Sequence, residues 1–196
     1  MRTLIISLKI FLFLSILTGV IYPLLVTVTA QIIFPFKANG SLINKNNKVI
    51  GSELIGQKFD SIIYFTSRPS SISYNPLPSG GSNYGLTSSK LKQLVEARKL
   101  KFITFNQLDS LADVPSEMVF ASASGLDPHI SQKAALLQVN RISQARNFDS
   151  SQKQELVECV KKLTEHPQFN FLGQERINVL ILNIELEKLD NTRSKK

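Results

Sequence analysis

The chain has 196 residues and a formal net charge of +8, from 23 Lys or Arg against 15 Asp or Glu. Four of the basic residues lie within 188–196, and the others are spread along the chain with no run of bases between aromatic residues. No nucleic-acid-binding module is recognisable, so the composition favours a solvated surface attracted to anionic membrane lipid over a nucleic-acid partner. The single cysteine, Cys159, excludes an intramolecular disulfide.

An apolar segment without any acidic or basic side chain separates Lys9 from Lys37. A helix needs about 20 apolar residues to cross a bilayer. The pattern therefore predicts a transmembrane helix over residues 10–33, after a cytoplasmic tail of residues 1–9 and before a linker of residues 34–40. A cleaved signal peptide is the alternative, because Val28-Thr29-Ala30 has the small-residue form of a cleavage site. The apolar segment exceeds the core of about 7–15 residues found in signal peptides, which favours a retained anchor.

Charge alone leaves the orientation of this helix open, because basic residues flank both of its ends. A short tail directly before the apolar segment is typical of a signal-anchor, which places the N-terminus in the cytoplasm. Gly19, with nearby hydroxyl and amide residues, predicts a stripe that packs against another membrane helix. Polar residues tolerated singly are the alternative. The polar residues of the stripe are Thr18, Thr27, Thr29 and Gln31.

Residues 41–187 are predicted to form a small extracytoplasmic domain of the α+β class, followed by a charged flexible tail of residues 188–196. A hairpin opens the domain, since Leu42-Ile43 and Val49-Ile50 flank an Asn-rich turn. Residues 67–89 contain three Pro and three Gly, which predict a long loop instead of a helix or strand. Tyr and Leu residues within this loop can anchor it, so we expect it to be ordered.

The remaining pattern predicts three helices and two strands. Ser88 or Ser89 caps the first helix, Ser131 opens the second, and Asp149 with Gln152 has the form of a capping box for the third. The first helix is expected to end near Lys101. The second is expected to bury Ala135, Leu136, Val139 and Ile142. The predicted strands are Met118–Phe120 and Ile177–Ile184.

Familiar catalytic and metal-binding patterns are missing from the sequence. It has no P-loop, and two His with one Cys, far apart, make a poor metal site. Ser122, Ser124, Asp127 and His129 suggest a catalytic triad, but a triad normally draws its members from separate segments. The pattern instead predicts that Asp127 caps a helix with Pro128 in its first turn.

The segment S-G-G-S-N, from Ser79 to Asn83, can present backbone N–H groups to an anion; a tight turn is the alternative. Arg68 is the permanent cation of the surrounding loop, with a partner carboxylate or a local salt bridge as its two alternative roles. The predicted partner or nucleotide loop consists of Arg68, Asn75, Ser79, Gly80, Gly81, Ser82, Asn83 and Gly85. Its predicted structural support consists of Ser124, Gly125, Asp127, Pro128 and His129.

Several long segments, in order along the chain, resemble the C subunit of the bacterial Kdp-type potassium-transporting ATPase. They are G-V-I-Y-P-L from Gly19, G-S-E-L-I-G-Q from Gly51, F-T-S-R-P-S from Phe65, Y-N-P-L-P-S-G-G-S-N-Y-G from Tyr74, S-A-S-G-L-D-P-H-I-S from Ser122, A-A-L-L-Q-V-N-R-I from Ala134 and F-L-G-Q-E-R-I-N-V-L from Phe171. The resemblance implies a single-pass subunit of the bacterial inner membrane with its domain outside the cytoplasm. The implied partners are a channel-like potassium-translocating subunit and a P-type ATPase subunit.

The resemblance also implies a non-catalytic role, described for the family as that of a catalytic chaperone that raises the ATP affinity of the pump. That idea compares S-G-G-S-N with the S-G-G-Q signature of ABC transporters, and here Ser82-Asn83 replaces the Gln. No cofactor is expected to bind tightly, and ATP enters only through the family description. The alternatives are an independent exported or membrane-anchored binding module and a membrane-tethered hydrolase.

Overall fold

The structure is a computed structural model that describes residues 1–45, 47–77 and 80–193, without the side chains of 191–193. The chain divides into two compact units, Met1–Ser52 and Glu53–Lys196. The predicted fold class is confirmed, because an apolar N-terminal helix precedes a mixed domain of helices and short strands.

The first unit begins with an apolar helix over Arg2–Ile33. It comprises α1 (Arg2–Ile16), a π-helical turn (Leu17–Ile21) and α2 (Tyr22–Ile33). Pro23 has no backbone N–H, and its ring clashes with the carbonyl four residues earlier in a regular helix. The wider π turn, which ends two residues before Pro23 and contains Gly19, accommodates the ring. Among the described residues, this is the one helix long and apolar enough to cross a membrane.

The hydroxyl groups of this helix bond to its own backbone. Ser7, Thr18, Thr27 and Thr29 each donate to the carbonyl oxygen four residues earlier, at 2.7–2.8 Å. Such bonds satisfy the hydroxyl donors without water, as a hydrocarbon environment requires. Packing of the predicted stripe with Gly19 against a second membrane helix stays a prediction.

The rest of the first unit is a short helix and the predicted hairpin, which is confirmed. The helix is α3 (Pro35–Ala38), and the hairpin pairs β1 (Leu42–Lys45) with β2 (Lys48–Ser52) in antiparallel register. Asn46, in the predicted turn, lies outside the described residues.

The second unit packs four helices around one apolar core. They are α4 (Ser89–Asn106), α5 (Gln132–Ala145), α6 (Ser150–Lys162) and α7 (Val179–Arg193). Helix α5 contacts α4 and α6, and α6 contacts α7. A 3₁₀ turn (Ser116–Met118) precedes the antiparallel pair of β3 (His129–Ile130) and β4 (Ile177–Asn178). The largest fully buried apolar side chains are Phe65, Ile142, Leu156, Ile177, Leu182 and Leu186.

The predicted starts of three helices are confirmed. Ser88 caps α4, Ser131 caps α5, and Asp149 with Gln152 forms the capping box of α6. Helix α4 continues past its predicted end to Asn106. Helix α7 is helical through Arg193, into the segment predicted as a flexible tail.

Of the two predicted strands after the long loop, the first is wrong and the second is confirmed only at its first two residues. Of Met118–Phe120, the first residue ends the 3₁₀ turn and the other two form no strand. Of Ile177–Ile184, the first two residues form β4 and the rest belong to α7. The physical reason is a cap, since the Asn178 side-chain oxygen accepts hydrogen bonds from the N–H groups of Leu180 at 3.1 Å and Ile181 at 3.2 Å.

Candidate functional site

Side chains of α5 and α7 hydrogen-bond to the backbone of residues 62–66. In a β-sheet, a neighbouring strand would supply these hydrogen-bonding partners. The Asn183 side chain accepts from the Phe65 N–H at 2.8 Å and donates to the Phe65 carbonyl at 3.0 Å. The Gln138 oxygen accepts from the Thr66 N–H at 2.8 Å. Asn183 and Gln138 are both buried. These bonds satisfy the buried backbone and fix where the chain enters the loop that begins at Arg68.

Arg141 holds the same segment from α5. It is only 2% exposed, and it donates to the carbonyls of Ile62 and Tyr64 and to the Asn106 side-chain oxygen, the last two at 2.9 Å. Burial lowers the pKa of Arg141 to about 10. Polar side chains therefore occupy part of the buried face of α5. The prediction that Leu136 is buried on this face is wrong, since Leu136 is 37% exposed.

The predicted loop and its predicted support meet at an ion pair. Arg68 Nη1 lies 2.5 Å from Asp127 Oδ2. The other carboxylate oxygen, Oδ1, accepts from the His129 N–H at 3.0 Å and lies 3.2 Å from His129 Nδ1. Of the two roles left open for Arg68, the structure shows the local salt bridge. The Arg68 Nε is buried, with no acceptor within the described part of the chain.

The environment of Asp127 strongly favours its ionised form. Burial raises the pKa of this carboxyl group, but the hydrogen bonds from His129 and the charge of Arg68 outweigh burial and lower the pKa to about 2. The prediction that Asp127 caps a helix is wrong. Its side chain accepts from the N–H of His129, the first residue of β3. Pro128, predicted in a first helical turn, accepts at its carbonyl oxygen from the Val179 N–H at 2.9 Å.

The serines of the suggested triad do not engage His129. Ser124 is exposed, and its hydroxyl oxygen accepts from the Leu126 N–H at 3.1 Å. Among the described residues, no serine hydroxyl is hydrogen-bonded to the His129 ring, whose partner is Asp127. The geometry therefore favours a structural role for this segment over nucleophilic catalysis.

Two glycines allow the loop to pack closely against its support. Gly125 has φ +68°, and a Cβ atom added there would lie 2.6 Å from Cγ1 of Ile72. A Cβ atom added to Gly81 would lie 2.9 Å from the carbonyl oxygen of Ala123. Backbone and side chain of the loop thus touch residues 123–125 directly. Tyr74 adds a further bond inside the loop by donating its hydroxyl to the Arg68 carbonyl.

The other predicted loop residues are near the surface. The Asn75 side-chain oxygen accepts from the Leu77 N–H at 3.1 Å, which closes an Asx turn. The Gly80 carbonyl accepts from the Ser71 hydroxyl at 3.3 Å. Ser79 lies outside the described residues. The exposed members are Asn75, Ser82, Asn83 and Gly85.

A cleft of about 680 Å³ opens beside the ion pair. Arg68, Asp127 and His129 line it, together with His166 and Arg176 from residues 166–176. His166 pairs with a nearby side chain of the same segment, since its Nδ1 lies 3.1 Å from a Glu175 carboxylate oxygen. Within the described ranges, no group of three or more His, Cys, Asp or Glu side chains is arranged to hold a metal ion.

Comparison with known proteins assigns the chain to a family. The family model described as "KdpC: K+-transporting ATPase, c chain" matches residues 4–188. The chain is 44% identical over 187 residues to the potassium-transporting ATPase KdpC subunit of Escherichia coli strain SMS-3-5, covering 94% of this chain and 96% of that protein. It is 43% identical, with the same coverage, to the KdpC subunit of E. coli strain K12. The chain belongs to the KdpC family.

Sequence reasoning missed the three polar side chains that position the loop. Gln138, Arg141 and Asn183 lie within helices and were not singled out as site residues. A signal was present in α5, because Gln138 and Arg141 share a helical face with Ala135 and Ile142, at spacings of three or four residues. Polar residues on a predicted core face indicate buried hydrogen-bonding partners.

Proposed function

We propose that this chain is a non-catalytic accessory subunit of an ATP-driven, high-affinity potassium uptake pump. The observation that carries the proposal is the family match over residues 4–188, which includes the membrane-crossing helix as well as the domain. The packed loop and its ion pair support a binding role, because ordered loops on a rigid scaffold commonly carry contact sites.

The proposed partners are the channel-like potassium-translocating subunit and the P-type ATPase subunit of the same complex, in the bacterial inner membrane. The short basic tail with Arg2 and Lys9 supports a cytoplasmic N-terminus and an extracytoplasmic domain. With this topology the domain cannot reach cytoplasmic ATP. Any catalytic-chaperone effect would therefore not depend on direct contact with nucleotide. We favour a role in assembly or in gating of the potassium path as its basis. Reporter fusions at the C-terminus that are active only in the cytoplasm would contradict this topology.

Affinity purification of the tagged full chain from membranes tests the proposal. The wild-type chain should recover both larger subunits. Replacing residues 10–33 with a generic Leu-rich span should leave the chain inserted but lower this recovery, because Gly19 and its hydroxyl neighbours would be gone. Failure of the wild-type chain to recover either subunit would contradict the proposed function. A mature N-terminus at Gln31 would instead support the independent exported module.

A further inference from the structure

A second cleft, of about 470 Å³, lies beside α4, and its lining combines aromatic rings with positive charge. We call it the α4 cleft. Residues of α4 form part of it, and residues from 58 to 74 form most of the remainder. Its aromatic side chains are Phe59, Tyr74, Phe102 and Phe105, and its basic side chains are Lys58, Arg68, Arg98 and Lys101.

The charges of the α4 cleft are only partly balanced from within the chain. Lys58 pairs with Asp60 at 2.6 Å, and Arg68 pairs with Asp127. Within the described residues, Arg98 and Lys101 have no carboxylate partner. Arg98 donates instead to the Val119 carbonyl at 3.0 Å, and burial lowers its pKa.

Helix α4 as a whole carries the same excess of positive charge. Its 18 residues include five Lys or Arg and one Glu, which gives a net charge of +4. A partly buried guanidinium without a counter-charge is stabilised when a carboxylate approaches it, and charge-assisted hydrogen bonds are stronger than neutral ones. The cleft therefore favours an anionic occupant.

We propose that the α4 cleft binds an acidic segment of a partner subunit, in which a carboxylate side chain lies next to an aromatic or aliphatic one. The carboxylate meets Arg98 and Lys101, and its apolar neighbour packs on the rings of Phe102 and Phe105. This inference rests on the proposed function, which supplies the partner subunits.

The shape of the cleft distinguishes a protein segment from a lipid surface. A flat anionic bilayer attracts every exposed lysine of α4, including Lys92 and Lys99, which lie outside the cleft lining. A concave site with aromatic walls accepts a single protruding side chain, and aromatic and Arg residues are the ones enriched at the centres of protein interfaces. Lys101 and Lys99 are therefore a matched pair, because both are exposed on one helix and only Lys101 lines the cleft.

Cross-linking within the purified complex tests this placement. A water-soluble carbodiimide joins a lysine amine directly to a nearby carboxylate as an amide, and mass spectrometry identifies the linked peptides. We expect Lys101 to link to an Asp or Glu of a partner subunit, and Lys99 not to do so. An intact complex without a link at Lys101 would overturn the inference and leave the proposed function standing.

Charge reversal supplies the second measurement. Lys101→Glu should reduce partner recovery at least fivefold in a moderate-salt wash, whereas Lys99→Glu should match the wild-type chain. Far-ultraviolet circular dichroism of both variants in detergent checks that they fold. Equal losses in the two variants, or equal losses of binding to phosphatidylglycerol vesicles with recovery of partners unchanged, would show a diffuse attraction and refute the specific site.

Discussion

Asp127→Asn directly tests the junction between the loop and its support. Asparagine keeps the size of the side chain, and its amide oxygen can still accept from the His129 N–H. The attraction between the Asp127 carboxylate and Arg68 Nη1, 2.5 Å apart, is lost. The variant therefore resembles the chain with Asp127 protonated, and its destabilisation can be calculated from the pKa of the carboxyl group.

That pKa is 3.8 ordinarily and about 2 here, because the bonds from His129 and the charge of Arg68 outweigh the opposing effect of burial. A shift of this size corresponds to about 2 kcal/mol of stability in the ionised form. The Asp127 side chain is 29% exposed, so little of this is lost to solvent screening. A domain of this size should then lose about 4–8 °C in melting temperature.

Thermal unfolding of the full chain in detergent, followed by circular dichroism from pH 7 to pH 2, measures the effect. Because the folded pKa is below the unfolded one, the stabilisation is complete above about pH 4 and is lost as the pH falls towards 2. Wild type and variant should therefore differ at pH 7 and converge near pH 2.

Asp60→Asn is the matched control, because it removes a carboxylate from the exposed pair with Lys58, whose side chains are 62% and 67% exposed. Exposed pairs of this kind contribute about 0–1 kcal/mol. Equal melting temperatures for Asp127→Asn and the wild-type chain at pH 7, or a difference that persists unchanged at pH 2, would refute the reasoning.

The remaining predictions concern the glycines of the loop and its support. Gly125→Ala should destabilise the domain by about 2–4 kcal/mol in thermal unfolding, since it combines a positive φ with a contact against Ile72, whereas Gly85→Ala, which meets open space, should change stability little. Gly81→Ala should weaken recovery of the complex by displacing the loop, and Gly80→Ala, also in open space, should not. Isothermal titration of the full chain with ATP should show no tight binding, and a tight signal lost in Gly80→Ala would contradict the reading of the loop as a partner surface.

Local signals predicted much of the helical structure. Caps at Ser88, Ser131 and Asp149 act within one turn, so the residues that decide them are adjacent in sequence. The prediction of a strand over Ile177–Ile184 was wrong beyond Asn178, because an apolar run of this length fits either a buried strand or a helix. The Asn178 cap and the spacing of Val179, Leu182 and Leu186 would have favoured the helix.

The candidate site was predictable only in part, since the sequence indicated Arg68 and Asp127 but not their bond, and did not indicate Gln138, Arg141 or Asn183. The sequence marked Arg68 and Asp127 in separate segments, yet nothing local pairs two residues that lie 59 positions apart. Gln138 and Asn183, which the sequence did not indicate, also bond to distant partners, 72 and 118 positions away. The helical pattern predicts the face of the helix on which such a side chain lies. It does not identify the residue to which the side chain bonds.

The hydrogen bonds between Asn183 and Phe65 also limit the order in which this domain can fold during its synthesis. A ribosome synthesises Phe65 well before Asn183, and the Asn183 side chain, which satisfies both backbone groups of Phe65, belongs to α7. Until that helix emerges, the N–H and carbonyl of Phe65 can be satisfied only by water, so the core around Phe65 cannot close. The core around Phe65 thus stays open until synthesis has passed Asn183 and α7 can pack.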